Sequence, residues 1–157
     1  MRHGCPQRVP RFLAGSLCAL RFGMLEQAET LRERCRAFAV RVLTFVRALP
    51  QDVACEALAR QLARSGTGAS ANYHSACRSR SRAEFVSRMA VALDEIDESC
   101  AWLAVIREGR IATGSELDWL EGEARELRAI FARSVTTARR NTQAHPSSSR
   151  QRRRDQT

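Results

Sequence analysis

Residues 64–102 read RSGTGASANYHSACRSRSRAEFVSRMAVALDEIDESCAW. The stretch decides the fold because it contains parts of two helices and the turn between them. Cys77-Arg78-Ser79-Arg80 interrupts the apolar period. Ser81-Arg82-Ala83-Glu84 then has the form of a capping box, in which the serine accepts from the free N–H groups of the next helix and the glutamate reaches back. Downstream, Phe85, Met89, Ala92/Leu93, Ile96, Cys100 and Leu103 recur at helical spacing. The helix should run to about Arg107, with Gly109 as its stop. Upstream, Val53, Leu58, Leu62, Ala69, Tyr73 and Ala76 form the stripe of a helix capped by Asp52. Gly66 and Gly68 lie in its middle and cost about 1 kcal/mol each relative to alanine. The small residues Ser65–Ala71 imply either a break or a continuous, slightly bent helix pressed against another backbone. The continuous helix is the expectation.

Working outward, Leu25, Ala28, Leu31, Cys35, Phe38, Val42, Phe45 and Leu49 alternate steps of three and four, close to a heptad seam. Pro50 ends that helix, since proline lacks an N–H and clashes with the preceding turn. Ser115-Glu116-Leu117-Asp118 resembles a second capping box. It starts a stripe of Leu117, Leu120, Ala124, Leu127, Phe131, Ser134 and Ala138, ending near Arg140. Four helices of roughly 25 residues joined by short links must be antiparallel neighbours. The expected class is therefore all-α, an antiparallel up-down four-helix bundle with disordered basic termini. Its expected divisions are a disordered leader at 1–24, the bundle at 25–141 and a disordered basic tail at 142–157.

The chain has 157 residues and a net charge of +9, and every one of its 26 basic residues is arginine. Arginine forks carboxylates and phosphates better than lysine does. Residues 1–24 carry four Arg and no acid, and residues 141–157 carry four Arg and one Asp, so the body holds only +2. Net charge by itself therefore says little about the folded part. The six cysteines show neither C-x-x-C nor zinc spacing, so the chain is expected to be reduced and cytoplasmic. No apolar run approaches the ~20 residues of a membrane span. Phe12–Leu20 behind Arg2, Arg8 and Arg11 has a faint signal-peptide look, but it is short, contains Gly15 and runs into Arg21.

Arg64-Ser65, Ala71-Asn72-Tyr73, Ala76, Ser81, Phe85, Leu93, Glu95, Glu98 and Trp102, in this order and spacing, resemble the signature of the bacterial four-helix-bundle proteins encoded by intervening sequences of large-subunit ribosomal RNA genes. The resemblance covers roughly Leu25 to Asn141. It implies a bundle that assembles as a homopentamer. One branch of these relatives, the accessory protein of diversity-generating retroelements, binds a reverse transcriptase and nucleic acid through a basic surface. Gly66, Gly68 and the long basic ends depart from the pattern.

Candidate sites follow from residue types and spacing. Arg78, Arg80 and Arg82 with the intervening serines could hold phosphates of RNA or DNA, and Arg150, Arg152, Arg153 and Arg154 could add contacts weakened by salt. For a single subunit, a solvated turn is the competing reading. Arg64 should lie level with Glu95, with Asn72 hydrogen-bonded nearby, as a structural polar pair that sets helix register. Glu84, Arg88, Val91, Glu95, Glu98 and Trp102 form a second stripe on the third helix, and Trp119, Glu123 and Ile130 flank the fourth. Trp102, Trp119, Val91 and Ile130 are accordingly the candidate subunit contacts, against the reading that the tryptophans only widen the core. His74 and Cys77 lack the further ligands a metal would need. With no nucleophile–base pair in sight, the expected function is non-enzymatic and free of cofactors. It is a self-associating bundle that binds nucleic acid or a protein–nucleic-acid partner, with a pure protein-interaction scaffold as the alternative.

Overall fold

The computed structural model describes residues 12–144, and side chains over 26–140. It contains α1 (Phe12–Arg47), α2 (Val53–Ala76), α3 (Arg82–Glu108) and α4 (Ser115–Ala144). Two units are described separately. The first, to Leu31, contributes the opening turns of α1. Those turns begin at Phe12, so residues 12–24 are helical where the sequence led us to expect a leader. Leucine and alanine make up five of its thirteen residues, against two glycines, and extending a formed helix costs far less than nucleating one. The remainder of the expected leader, 1–11, and the basic tail from 145 onward lie outside the described residues.

The second unit, from Arg32, holds the bundle. Ion pairs fix the helix directions. Arg34 meets Glu123 and Arg41 meets Glu116, so a step of seven up α1 is a step of seven down α4. Arg64 meets Glu98 across α2 and α3, while Asp97–Arg128 and Arg107–Asp118 do the same for α3 and α4. Each pair of helices is antiparallel. Phe38 and Val42 of α1, Leu62 of α2, Ile96 and Leu103 of α3, and Leu120 and Phe131 of α4 are fully or almost fully buried. Tyr73 stacks on Phe131 with centroids 5.3 Å apart.

The buried positions of α3 are Met89, Ala92, Ile96, Ser99, Leu103 and Ile106, an unbroken heptad pattern. Ser99 and Ile106 therefore take the core direction expected at Cys100, which is only half-buried. Val53 proves to be 85 % exposed. It is the first residue of α2, and Cys55 is the first to reach the core.

The ends of the helices follow local chemistry. Asp52 accepts from the N–H groups of Ala54 and Cys55. Ser81 accepts from Glu84 N–H, and the Glu84 carboxylate reaches back to Arg80 N–H, one residue earlier than a strict capping box. At the end of α3, Gly109 keeps a helical φ of −72° and the left-handed residue is Arg110, at φ 54°. Arg110 N–H bonds to Arg107 carbonyl and Ile111 N–H to Ile106 carbonyl, which is a Schellman motif with arginine where glycine is usual. Gly114, at φ 108°, takes the N-cap position of α4, its carbonyl accepting from Asp118, so Ser115 is the first helical residue rather than the cap.

Candidate nucleic-acid interface

The α2–α3 hairpin is held together below its turn. α2 continues through Gly66 and Gly68 without a break. A Cβ at Gly66 would lie 3.1 Å from both Val42 methyls, and one at Gly68 would lie 2.8 Å from Glu95 Cδ. Both glycines are thus explained by close approach, one to α1 and one to α3. Between them and the helix start, Ser65 and Ser99 share a fully buried hydroxyl bond of 2.8 Å. Ser99 also donates to Glu95 carbonyl, and Ser65 has Leu62 carbonyl within 3.4 Å.

Arg64 lies beside Glu95, as counting from the turn indicates, but the close bonds go elsewhere. Its Nη2 reaches both Glu98 oxygens at 2.7 Å, while Glu95 Oε1 is 3.9 Å from Nη1. Glu95 is drawn inward against Gly68, where its Oε2 is buried with no hydrogen-bond partner among the described residues. Glu98, one turn along, remains for the guanidinium, and it also accepts from Trp102 Nε1 at 3.2 Å. Asn72 serves its own helix, donating to Gly68 carbonyl.

The two tryptophans are half-buried and bonded within the chain. Trp119 lies under the Arg41 guanidinium, 3.6 Å from ring centroid to Cζ, a cation–π contact. Arg41 also forks Glu116 and holds that carboxyl below its ordinary range. Val91 is 42 % exposed and Ile130 half-buried. The α1–α4 ion pairs were missed in the sequence. Their signal is present: Arg34 and Arg41 are seven apart, as are Glu116 and Glu123.

Arg78, Arg80 and Arg82 are all exposed. None has an ion-pair partner among the described residues, unlike Arg34, Arg41, Arg64, Arg107 and Arg128, each of which is matched to an acid of another helix. The α4 residues Arg133, Arg139 and Arg140 are exposed and unpaired in the same sense. Extending the Asp97–Arg128 register, Arg139 comes level with Val86, about one turn from Arg82. At 100° per residue Arg139 faces α3 as Arg128 does. The turn and the end of α4 therefore make one basic pole, with Glu84 its nearest acid, bonded to Arg80 N–H and Arg88. Arg150, Arg152, Arg153 and Arg154 lie outside the described residues.

A groove of about 340 Å³ between α3 and α4 is lined by Cys100, Arg107, Arg125 and Arg128. Asp97, Asp118 and Glu121 already neutralise Arg128 and Arg107 there, so it is a poor match for a polyanion. Among the described residues no cluster of three or more His, Cys, Asp or Glu could hold a metal, and no helix is long and apolar enough to cross a membrane.

These features define a small helical-bundle protein with a basic pole. Residues 29–133 match the model of the 23S rRNA-intervening sequence protein family, and the chain belongs to that family. A protein of unknown function from the S23 ribosomal protein family of Bacteroides thetaiotaomicron is similar in structure, with a TM-score of 0.62 and 23 % identity over 69 % of this chain and 97 % of that one. At that identity the likeness concerns the fold. A comparison with curated proteins finds no significant match.

Proposed function

We propose that the chain is a non-enzymatic, self-associating bundle that binds nucleic acid through the pole formed by Arg78, Arg80 and Arg82 with the end of α4. The observation that carries this is the partition of arginines. Those along the helix seams are matched to carboxylates, whereas those at the pole are exposed and unmatched among the described residues; Arg36, Arg47, Arg110 and Arg125 are unmatched too, but only at the pole do such residues cluster. Unmatched guanidinium groups on a rigid hairpin suit phosphate oxygens, which they contact without reading sequence. Self-association would repeat the pole and strengthen its field. The family description refers to 23S rRNA, which makes RNA the first probe.

The test is fluorescence anisotropy with labelled single-stranded and duplex RNA across a salt series. Each phosphate engaged by a guanidinium contributes about −0.7 to the log–log salt slope on single strands. Arg78→Gln/Arg80→Gln/Arg82→Gln should flatten the slope by about 2, because three such phosphates are released. A chain with Arg150, Arg152, Arg153 and Arg154 replaced by Gln should keep most of its binding. If the tail variant loses binding and the turn variant keeps it, the bundle is not the reader. Absence of salt-dependent binding in the intact chain favours a protein-interaction scaffold.

A further inference from the structure

Among the described residues the outward faces of α1 and α3 have no partner, and they differ in kind. Val40 and Leu43 on α1 are 57 % and 39 % exposed, and Val91 and Val105 on α3 are 42 % and 44 % exposed. From residue 34 to 51 the chain has four Arg and no acid, two of them, Arg34 and Arg41, matched to α4. From 89 to 106 it has four acids and no base, of which Asp97 and Glu98 are matched to Arg128 and Arg64, Glu95 turns in against Gly68 and Asp94 is left. On α1, Arg36 and Arg47 bracket the two apolar residues, exposed and without an ion-pair partner among the described residues. At 100° per residue these four side chains fall within about 60° of arc. On α3, Asp94 is likewise exposed and unpaired, and it falls within the same arc as Val91 and Val105. α1 packs on α2 and α4, as does α3, which puts the two faces on opposite corners of the bundle.

We propose that the basic, apolar face of α1 in one copy docks on the acidic, apolar face of α3 in the next. This rests on the reading that the chain self-associates, and it adds which faces meet. The charges select the pairing. α1 against α1 would oppose arginine with arginine, and α3 against α3 would oppose carboxylate with carboxylate, each at a cost when desolvated. The faces also match in length. Arg36 to Arg47 spans about 16 Å and Val91 to Val105 about 21 Å at 1.5 Å per residue. A contact between unlike faces leaves one face of each kind free at the ends of every assembly, so it continues until a ring closes or a filament grows.

The test is light scattering on three samples at one protein concentration, with helix content followed by circular dichroism. The intact chain should exceed a dimer. Arg36→Glu/Arg47→Glu and Val91→Arg/Asp94→Arg should each be monomeric. Mixed in equal amounts they should assemble again, because each supplies the face the other has lost and the two reversed faces are themselves opposite in charge. Val40→Asp and Val105→Asp serve as a second pair should the double variants lose helix. An intact chain that is monomeric overturns self-association and this pairing together. An assembled chain that ignores the α1 or α3 changes, or a mixture that stays monomeric, overturns the pairing alone.

Discussion

Replacing Gly68 with alanine sets two effects of similar size against each other. Helix propensity favours alanine by about 1 kcal/mol. The new Cβ, however, would lie 2.8 Å from Glu95 Cδ and 2.9 Å from Oε2. Carbon contacts want roughly 3.5–4 Å, so the carboxylate must retreat by about an ångström. It is mostly enclosed, with Arg64 on its open side. Overpacking of this kind costs about 1–3 kcal/mol. Gly68→Ala should therefore destabilise by about 0–2 kcal/mol in the natural chain. In a Glu95→Ala background the obstacle is gone, and the same change should stabilise by about 1 kcal/mol. The expected coupling is then about 1–3 kcal/mol. Urea unfolding followed by far-ultraviolet circular dichroism measures it, with midpoints compared at constant m and all four chains held at one concentration, because the proposed self-association would raise apparent stability. If Gly68→Ala changes stability equally in both backgrounds, within about 0.5 kcal/mol, Glu95 is not the reason position 68 is glycine.

Further outcomes are expected from the same kinds of measurement. Ser65→Ala or Ser99→Ala alone should cost about 1 kcal/mol, because the remaining hydroxyl keeps a backbone carbonyl, and the double replacement should cost less than the two singles together, because the shared bond is lost only once. Arg110→Gly should stabilise by about 0.5–1 kcal/mol, since glycine takes a φ of 54° without a Cβ penalty but gives back some unfolded-state entropy; a loss of stability would mean that the arginine side chain matters more than its backbone. Backbone N–H groups, led by that of Cys55, hold the Asp52 carboxyl below its usual range, Arg80 N–H does the same for Glu84, and the Arg41 guanidinium does so for Glu116. Depressed folded values mean that this stability is complete above the ordinary carboxylate range and is lost as pH falls through the folded values. Unfolding midpoints should thus decline on acidification, and Asp52→Asn should flatten the decline. Burial pushes the Cys35 thiol up to about 12, so iodoacetamide at mildly alkaline pH should leave it unmodified until the chain unfolds.

Much of the fold was legible because it depends on period and punctuation. Cys35, Phe38, Val42, Phe45 and Leu49 are buried as the heptad of α1 requires, and Asp52 and Ser81 cap as their types predict. What escaped depends on geometry that one-dimensional spacing does not carry. Ser99 rather than Cys100 points into the core because the α3 stripe keeps its step of three or four while the hairpin fixes its phase. Arg64 prefers Glu98 because Gly68 opens a recess that takes Glu95 out of reach. The left-handed role passed from Gly109 to Arg110 because the Schellman bonds, not the nearest glycine, set where the helix turns. The turn arginines were named as candidates from sequence, and Arg139 was set near them only by the α3–α4 register.

The segregation of matched and unmatched arginines has a consequence at a distance. Seam charges cancel pairwise, while the guanidinium groups gathered at the α2–α3 turn do not, so unmatched positive charge is densest at that end of the described bundle. In the field of a polyanion, charge gathered at one end would turn the molecule before contact. On the proposed function it would arrive turn first, and its rotational search would shrink from a full sphere to a cone. The Debye length, about 10 Å at 0.1 M salt, sets how early that alignment begins. Ionic strength would then govern the approach of the molecule as well as its grip.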